Sequence, residues 1–161
     1  MFTGRRMNMI DILPILPVEL EDASRLIDAV ARGELGMPPA AFDGYRDLIE
    51  SAVKNPTGAN LFLGSRHNSS ISGILLCTRP EGGVATIIWL IVSPRHRGLG
   101  HGAALFHKAC AWARGCGCHK IKLTASSRKA VRFYEHLGMT VEGFHRSHWW
   151  KLDFWSLGMQ V

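Results

Sequence analysis

An apolar run that stops at a proline and continues into a glycine-rich turn constrains the fold of this chain more than any other feature. A helical pattern of apolar residues follows the turn directly. A strand, a tight turn and a helix start in this order place backbone N–H groups and a helix N-terminus around one pocket. The stretch therefore predicts an anion site, and its residues are Leu90-Ile91-Val92-Ser93-Pro94-Arg95-His96-Arg97-Gly98-Leu99-Gly100-His101-Gly102.

The length of 161 residues, with 47% apolar and 20% charged residues, predicts one globular domain over residues 1–161. Residues 1–8 resemble a flexible tail more than a signal peptide, and Met7 or Met9 is an alternative start. No apolar run reaches the roughly 20 residues of a membrane helix. We therefore expect a cytoplasmic protein without membrane contact.

The net charge of +6 favours an anionic partner. The basic residues are scattered except at Arg95, His96 and Arg97, which favours a local anion site over a nucleic-acid surface.

The cysteines form neither a disulfide framework nor a zinc pattern, because Cys116 and Cys118 have C-x-C spacing and no second ligand pair follows. Together with Cys77 and Cys110 they are expected to be reduced thiols, and no metal is expected.

Apolar periodicity and turn residues predict a mixed α/β (α+β) sheet with helices on both faces. A three-strand meander leads through a crossover helix into a parallel strand. The predicted strands are Ile10–Leu16, Asn60–Ser65, Ile71–Thr78, Val84–Val92, Lys120–Ala125, Met139–Phe144 and Ser147–Phe154. The predicted helices are Pro17–Gly33, Phe42–Val53, Gly100–Arg114 and Arg128–Leu137.

A second motif lies in the last predicted helix, where Ala130, Tyr134 and Leu137 share one face. Ser127 is its predicted N-cap and Gly138 its predicted stop. Taken alone, Tyr134 is interpreted as a core tyrosine in preference to a functional one.

The two motifs together resemble the GCN5-related N-acetyltransferase (GNAT) superfamily. Its cofactor signature, Gln/Arg-x-x-Gly-x-Gly/Ala, is met by Arg95, Gly98 and Gly100. Its later pattern of alanine, tyrosine and glycine is met by Ala130, Tyr134 and Gly138. The resemblance implies a mostly antiparallel sheet of about seven strands whose two central strands splay apart.

The resemblance also implies acetyl-CoA as acyl donor. The backbone of Leu90, Ile91 and Val92 would pair with the pantetheine arm, beside a β-bulge near Leu90 or Ile91. Tyr134 would be the general acid that protonates the leaving thiolate. The amides that would hold the pyrophosphate belong to Arg95, His96, Arg97, Gly98, Leu99, Gly100, His101 and Gly102.

The sequence departs from the family pattern at two places. Ser127 stands where many relatives carry an asparagine that contacts the cofactor, so one hydroxyl contact is expected there. The strand Thr86–Leu90 lacks the carboxylate that serves some relatives as general base. The base is then water, or a side chain from the set Glu81, Glu142, His145 and His148.

The acceptor pocket is expected between the first two helices, the meander face and the last strand pair. The segment Gly36–Pro39 is interpreted as a mobile lid or a plain connection. Core packing is the first interpretation of both Trp149 and Trp150. Strand alternation offers the alternative that one is in the core and the other is exposed, at the acceptor site or a homodimer contact. The acceptor is an amine, in a small molecule or a peptide.

These features predict an acetyl-CoA-dependent N-acetyltransferase that transfers the acetyl group directly to the amine. The missing strand carboxylate leaves a second hypothesis, a CoA-binding sensor or interaction module without turnover. The net charge leaves a third, a nucleic-acid-binding module, which the scattered distribution disfavours.

Overall fold

The computed structural model describes residues 10–55 and 59–161, without the side chains of residues 40–45 and 79. The strands are β1 (Asp11–Pro14), β2 (Leu61–His67), β3 (Ser70–Glu81), β4 (Val84–Val92), β5 (Lys120–Ala125), β6 (Thr140–His145) and β7 (Phe154–Gln160). The helices are α1 (Leu20–Gly33), α2 (Ala40–Lys54), α3 (His101–Gly115) and α4 (Arg128–His136). The predicted tail over residues 1–8 lies outside the described residues.

The strands form one seven-stranded sheet in the order β1-β2-β3-β4-β5-β7-β6. Among the strands of the described residues only β4 and β5 run parallel, and α3 is the crossover between them. The predicted meander is β2, β3 and β4, joined by a turn at Asn68-Ser69 and another at Gly82-Gly83. Pro14 lies in an edge strand, as its missing N–H requires.

Helices cover both faces of the sheet, as the sequence predicted. One core packs α3 and α4 against Leu75, Ile121 and Leu157. The other packs α1 and α2 against Ile74 and Trp89. The central strands are therefore covered by α3 and α4 on one face and by α1 and α2 on the other. The turn that joins β4 to α3 lies at the surface.

A β-bulge at Ile88 divides β4 into two parts. Leu76 pairs with Trp89 but Cys77 pairs with Ile87, which leaves Ile88 without a partner on β3. The sequence analysis placed this bulge near Leu90 or Ile91, and that position is wrong by two to three residues. The extra residue reverses the alternation, so Ile87 and Leu90 both face α3.

The bounds predicted from the sequence for the last strand are also wrong. It is β7, Phe154–Gln160, and not Ser147–Phe154. Residues 147–153 form an irregular turn instead, because Ser147, Trp150 and Lys151 have positive φ values of 45°, 56° and 63°, which no strand accommodates. The aromatic residues there resembled a buried strand, yet Trp149 and Trp150 are 51% and 39% exposed, so neither is a core residue.

The segment Gly36–Pro39 connects α1 and α2. Gly36 turns the chain with a φ of 63°, and Met37 is buried in the core with its N–H donated to the Ala31 carbonyl at 2.9 Å. A buried side chain anchors the segment, which supports the interpretation as a connection over that of a lid.

Candidate active site

The glycine turn after β4 has the conformation that an anion site requires. Gly98 and Gly100 have φ values of 74° and 91°, which side-chain-bearing residues rarely adopt. Gly100 is the N-cap of α3, and the first intrahelical bond runs from the Ala104 N–H to the Gly100 carbonyl at 3.0 Å. The N–H groups of His101 and Gly102 therefore lack intrahelical acceptors and, with the helix dipole, favour negative charge.

A wedge opens between β4 and β5 beside this turn. The two strands pair only at Val84, Ala85 and Thr86, opposite Lys120, Ile121 and Lys122. Beyond Thr86 and the Ile88 bulge, β4 pairs with β3 alone. Because a strand bonds each neighbour through alternate residues, half of the backbone groups from Leu90 to Val92 face the wedge. They are available to an extended ligand arm, which would add to the open edge like a strand.

The side chains of the turn differ in their availability. Arg95 and Leu99 are exposed. Arg97, predicted to contribute free positive charge, is engaged: Nη2 lies 2.9 Å from both carboxylate oxygens of Glu34, and Nε donates to the Val92 carbonyl at 3.1 Å. Glu34 neutralises this guanidinium, so Arg97 holds the end of β4 and leaves its backbone for an anion.

Two predicted residues point their side chains inward. His101 is 3% exposed and its Nδ1 lies 3.1 Å from Ser72 Oγ. Ile91 is buried among the side chains under α1 and α2. These residues bring backbone groups to the wedge and the turn, while their side chains belong to the interior.

Tyr134 lies on the α3 side of the sheet, in the core beneath the wedge. It is 8% exposed and packs against Phe106 and Phe133, with ring centroids 6.2 and 5.1 Å away. Burial raises the pKa of Tyr134 above its ordinary value. The phenol therefore stays protonated at neutral pH and can only donate its proton.

Phe133 is a site residue that the sequence analysis missed. It is 36% exposed, and it reaches from α4 to the start of α3. A Cβ on Gly102 would lie 3.0 Å from Phe133 Cζ and 3.6 Å from Leu90 Cδ2. Gly102, Leu90 and Phe133 thus line one end of the wedge, and Gly102 leaves room that any side chain would fill. An aromatic residue beside the motif tyrosine was the available signal.

Ser127 caps α4 as predicted. Its Oγ accepts a hydrogen bond from the Ala130 N–H at 3.1 Å. The hydroxyl hydrogen remains for a ligand, which is less than the two donor hydrogens of an asparagine amide. Gly138 ends the helix region with a φ of 99°.

The candidate bases divide by their place in the sheet. Glu81 lies at the turn between β3 and β4, and Glu142 accepts bonds from Lys120 Nζ at 2.6 and 2.8 Å. Both are at the closed end, where β4 and β5 are paired. His145 and His148 lie at the open end, where β6 ends and β7 begins, with ring centroids 5.0 Å apart. His145 Nε2 is also 3.2 Å from Ser156 Oγ.

The cysteines do not form a reactive site. Cys77, Cys110 and Cys118 are buried free thiols, and burial raises the pKa of Cys77 to about 12. Among the described residues, no group of three or more His, Cys, Asp or Glu has a metal-binding arrangement, and no helix is long and apolar enough to cross a membrane.

Sequence comparison places this architecture in a family. Residues 28–139 match the profile of the acetyltransferase (GNAT) family, which is more than half of the chain. The chain belongs to the acetyltransferase (GNAT) family. A 61-residue stretch is 43% identical to glucosamine 6-phosphate N-acetyltransferase of Trypanosoma brucei brucei. That match covers 38% of this chain and only 41% of the relative.

Solved structures share the whole fold at low identity. Ard1 from Thermoplasma volcanium superposes with a TM-score of 0.77 at 18% identity, covering 94% of this chain and 97% of that one. A GNAT acetyltransferase from Streptococcus pneumoniae gives 0.76 at 19%, covering 94% and 99%. A Salmonella typhimurium protein solved with its cofactor acetyl-CoA gives 0.75 at 18%, covering 94% and 93%.

Proposed function

We propose that this chain transfers the acetyl group of acetyl-CoA directly to the nitrogen of an amine, with Tyr134 as general acid. The observation that carries the proposal is the open wedge between β4 and β5, with the glycine turn at one end and a buried, protonated tyrosine beneath it. A phosphate-binding turn alone fits many ligands. Combined with an unpaired strand edge, it fits a diphosphate that carries an extended amide-containing arm.

The residues present fit this donor. The amides around Gly98, Gly100 and Gly102 are placed to receive the diphosphate, since the positive φ of the first two turns N–H groups outward and Gly102 leaves space for close approach. The backbone of Leu90 and Val92 is placed to bond the arm. When bound, the donor supplies an acetyl thioester, which is activated toward an amine.

The steps of the proposed acetyl transfer follow from which groups can donate or accept a proton. The amine nitrogen forms a bond to the acetyl carbon and the carbon–sulfur bond breaks. Tyr134 donates its phenolic proton to the sulfur and regains one from solvent, because burial disfavours the phenolate. His145 and His148, whose rings lie 5.0 Å apart at the open end, would accept the proton that the amine loses. No covalent acyl-enzyme is needed, since the buried thiols stay protonated.

The acceptor is an amine whose identity the residues leave open. The partial match to glucosamine 6-phosphate N-acetyltransferase supports including amino sugar phosphates among the candidates. The turn over residues 146–151 supports this choice, because Arg146 and Lys151 are basic groups at the open end that would attract an anionic acceptor.

A panel of acceptors tests the proposal. Amino sugars with and without phosphate, single amino acids, polyamines and peptides with a free N-terminus are each incubated with acetyl-CoA, and released thiol is measured. We expect thiol release above the hydrolytic background with at least one acceptor class.

Donor binding is tested independently by thermal unfolding. A ligand that binds only the folded state at about a hundredfold excess over Kd stabilises it by about 2.7 kcal/mol. A melting temperature that does not move at millimolar acetyl-CoA overturns the donor assignment. A shift without thiol release from any acceptor favours a binding module over the proposed transfer.

A further inference from the structure

Three histidine side chains from separate elements meet beneath the glycine turn. His67 ends β2, His96 lies in the turn and His101 begins α3. The ring centroids of His96 lie 5.1 Å from His67 and 5.8 Å from His101, and His67 and His101 are 6.4 Å apart. We call these three residues the histidine cluster. It sits directly behind the amides assigned to the diphosphate.

The hydrogen bonds of the cluster fix where a proton can enter. Ser72 Oγ donates to the Ser65 carbonyl at 3.1 Å, so it must accept from His101 Nδ1, also at 3.1 Å. His101 therefore carries its hydrogen on Nδ1, and Nε2 is the nitrogen that gains a proton. His96 Nδ1 is buried and has no hydrogen-bond partner among the described residues. A buried nitrogen without a partner is costly and indicates a missing interaction.

The free cluster resists positive charge. Burial lowers the pKa of His101, and the neighbouring His96 and His67 lower it further. The positive end of α3 acts in the same direction. The formally charged side chains on the turn and on the adjoining ends of β1 and β2 are Asp11, Arg66, Arg95 and Arg97. Farther along the packed elements, β3 carries Glu81 and α3 carries Lys108 and Arg114. Glu19 pairs with Arg66 and Glu34 pairs with Arg97, so Arg95 is the cation that remains on the turn.

We propose that the histidine cluster is a proton-linked part of the donor site, which takes up a proton when a diphosphate occupies the glycine turn. An anion in front of the turn favours an imidazolium behind it, because the opposite charges attract across a partly desolvated distance. With this proton the histidine cluster becomes a cation behind the turn, and the bound diphosphate is attracted by a positive charge that the free protein lacks. This inference rests on the proposed donor site, and it adds His67, a residue far from both motifs in sequence.

The sign of the pH dependence follows. Binding raises the pKa of His101 above its lowered free value, so the extra affinity is complete below the free pKa and is lost as pH rises through the pKa of the complex. A fall in affinity between about pH 6 and pH 8 therefore marks the passage through the pKa of the complex.

Isothermal titration calorimetry in buffers of different ionisation enthalpy measures the proton directly. Dephospho-CoA is the probe, because it lacks the 3′-phosphate, whose own ionisation near about pH 6 would add to the signal. We expect an uptake of about 0.3 to 1 proton per ligand near neutral pH and a Kd about three- to tenfold lower at pH 6 than at pH 8.

Matched variants assign the proton to the cluster. His101→Gln should reduce the uptake by at least half and flatten the pH dependence of Kd to less than about twofold, because Nε2 of His101 is the nitrogen that gains the proton. His96→Gln and His67→Gln remove the neighbours that lower the pKa of His101, so its free value rises and the uptake falls. His107→Gln removes an exposed histidine from α3 and should leave both quantities unchanged. The measurement on the unaltered protein does not depend on whether a variant folds.

Four outcomes overturn the inference. Binding of dephospho-CoA without proton uptake refutes it and leaves the proposed function intact, whereas absence of binding refutes both. Uptake that persists undiminished in His101→Gln places the proton elsewhere. Affinity that EDTA abolishes assigns the histidines to a metal ion instead.

Discussion

Tyr134 shows how one residue can belong both to the core and to the chemistry. Its ring packs between Phe106 and Phe133, while burial keeps its hydroxyl protonated. The phenol is therefore held rigidly as a proton donor, and its O–H is the only part of the side chain that the proposed reaction uses.

Replacement of this hydroxyl separates binding from catalysis. We expect Tyr134→Phe to lower kcat by about 10²- to 10⁴-fold, the usual contribution of a general acid, with the Kd for acetyl-CoA within about twofold. Single-turnover kinetics and calorimetry measure the two quantities. Phe106→Leu is the matched control, because it disturbs the same packing without removing the proton. If Tyr134→Phe retains the full rate, the thiolate is protonated by another group.

Gly100 makes a second residue-scale prediction. A Cβ there would meet only Ile10 Cδ1 at 3.5 Å, so the cost of Gly100→Ala comes from the φ of 91°. We expect a loss of about 1–2 kcal/mol in unfolding free energy and weaker binding of acetyl-CoA. Gly33→Ala in α1, where a Cβ meets nothing within 4 Å, is the control and should be neutral or stabilising. Equal effects of the two substitutions would contradict the conformational argument.

At the scale of elements, α4 depends on its cap to present Tyr134. Ser127 is the one side chain among the described residues that accepts a hydrogen bond from an N-terminal amide of this helix. The helix has nine residues, too few to be stable without packing and a cap.

Removal of the cap should be visible in stability. Ser127→Ala is expected to cost about 1 kcal/mol and to lower the melting temperature by about 2–4 °C, because the Ala130 N–H loses its acceptor. Ser127→Asp restores an acceptor and should recover most of that loss. If both variants melt alike, the hydroxyl contributes nothing to the helix end.

Local sequence patterns predicted most helices and strands. They failed where the position of a strand depends on partners that are distant in sequence. The helices and the strands from β2 to β5 follow from apolar spacing and turn residues such as Gly82-Gly83. The strand β7 did not, since its place between β5 and β6 depends on partners far away in sequence. The bulge at Ile88 was expected from the family resemblance, but nothing in a run of apolar residues marks which one is extra.

The site shows the same division. The glycine turn and Tyr134 were predictable because each is a short motif. The pairing of Arg97 with Glu34 and the meeting of His67 with His96 were not, because each joins residues that only the folded sheet brings together.

At the scale of the whole molecule, the edge of the sheet is stabilised by an ion pair between Arg66 and Glu19, whose side chains are only 10% and 16% exposed. Arg66 Nε donates to Glu19 Oε1 at 2.8 Å, and its Nη groups bond the carbonyls of Leu13, Gly64 and Pro14. One guanidinium thus joins β1, β2 and the turn before α1. The bond from Arg66 is the main cause that lowers the pKa of Glu19.

Because of this ion pair, the free energy of unfolding depends on pH in the acidic range. Because the folded-state pKa of Glu19 is lowered, its contribution is present above the unfolded value of about 4.3 and is lost as pH falls through the folded value. We expect Glu19→Gln to reduce unfolding free energy by about 3–5 kcal/mol at pH 7 and to flatten its decline at acid pH. Urea denaturation at several pH values tests this. Glu21→Gln, which removes an exposed carboxylate on α1, should change neither quantity by more than about 0.5 kcal/mol.

The bulge at Ile88 has a consequence for how this chain can vary. The residues on either side of it, Ile87 and Trp89, pair with neighbouring residues of β3, so Trp89 to Val92 have the faces that a strand without Ile88 would give them. Deletion of Ile88 would therefore remove the irregularity while Leu90 still faces α3 and Ile91 still faces α1. Deletion of a regularly paired residue, such as Leu90, would instead turn Ile91 toward α3 and exchange the walls of the active site.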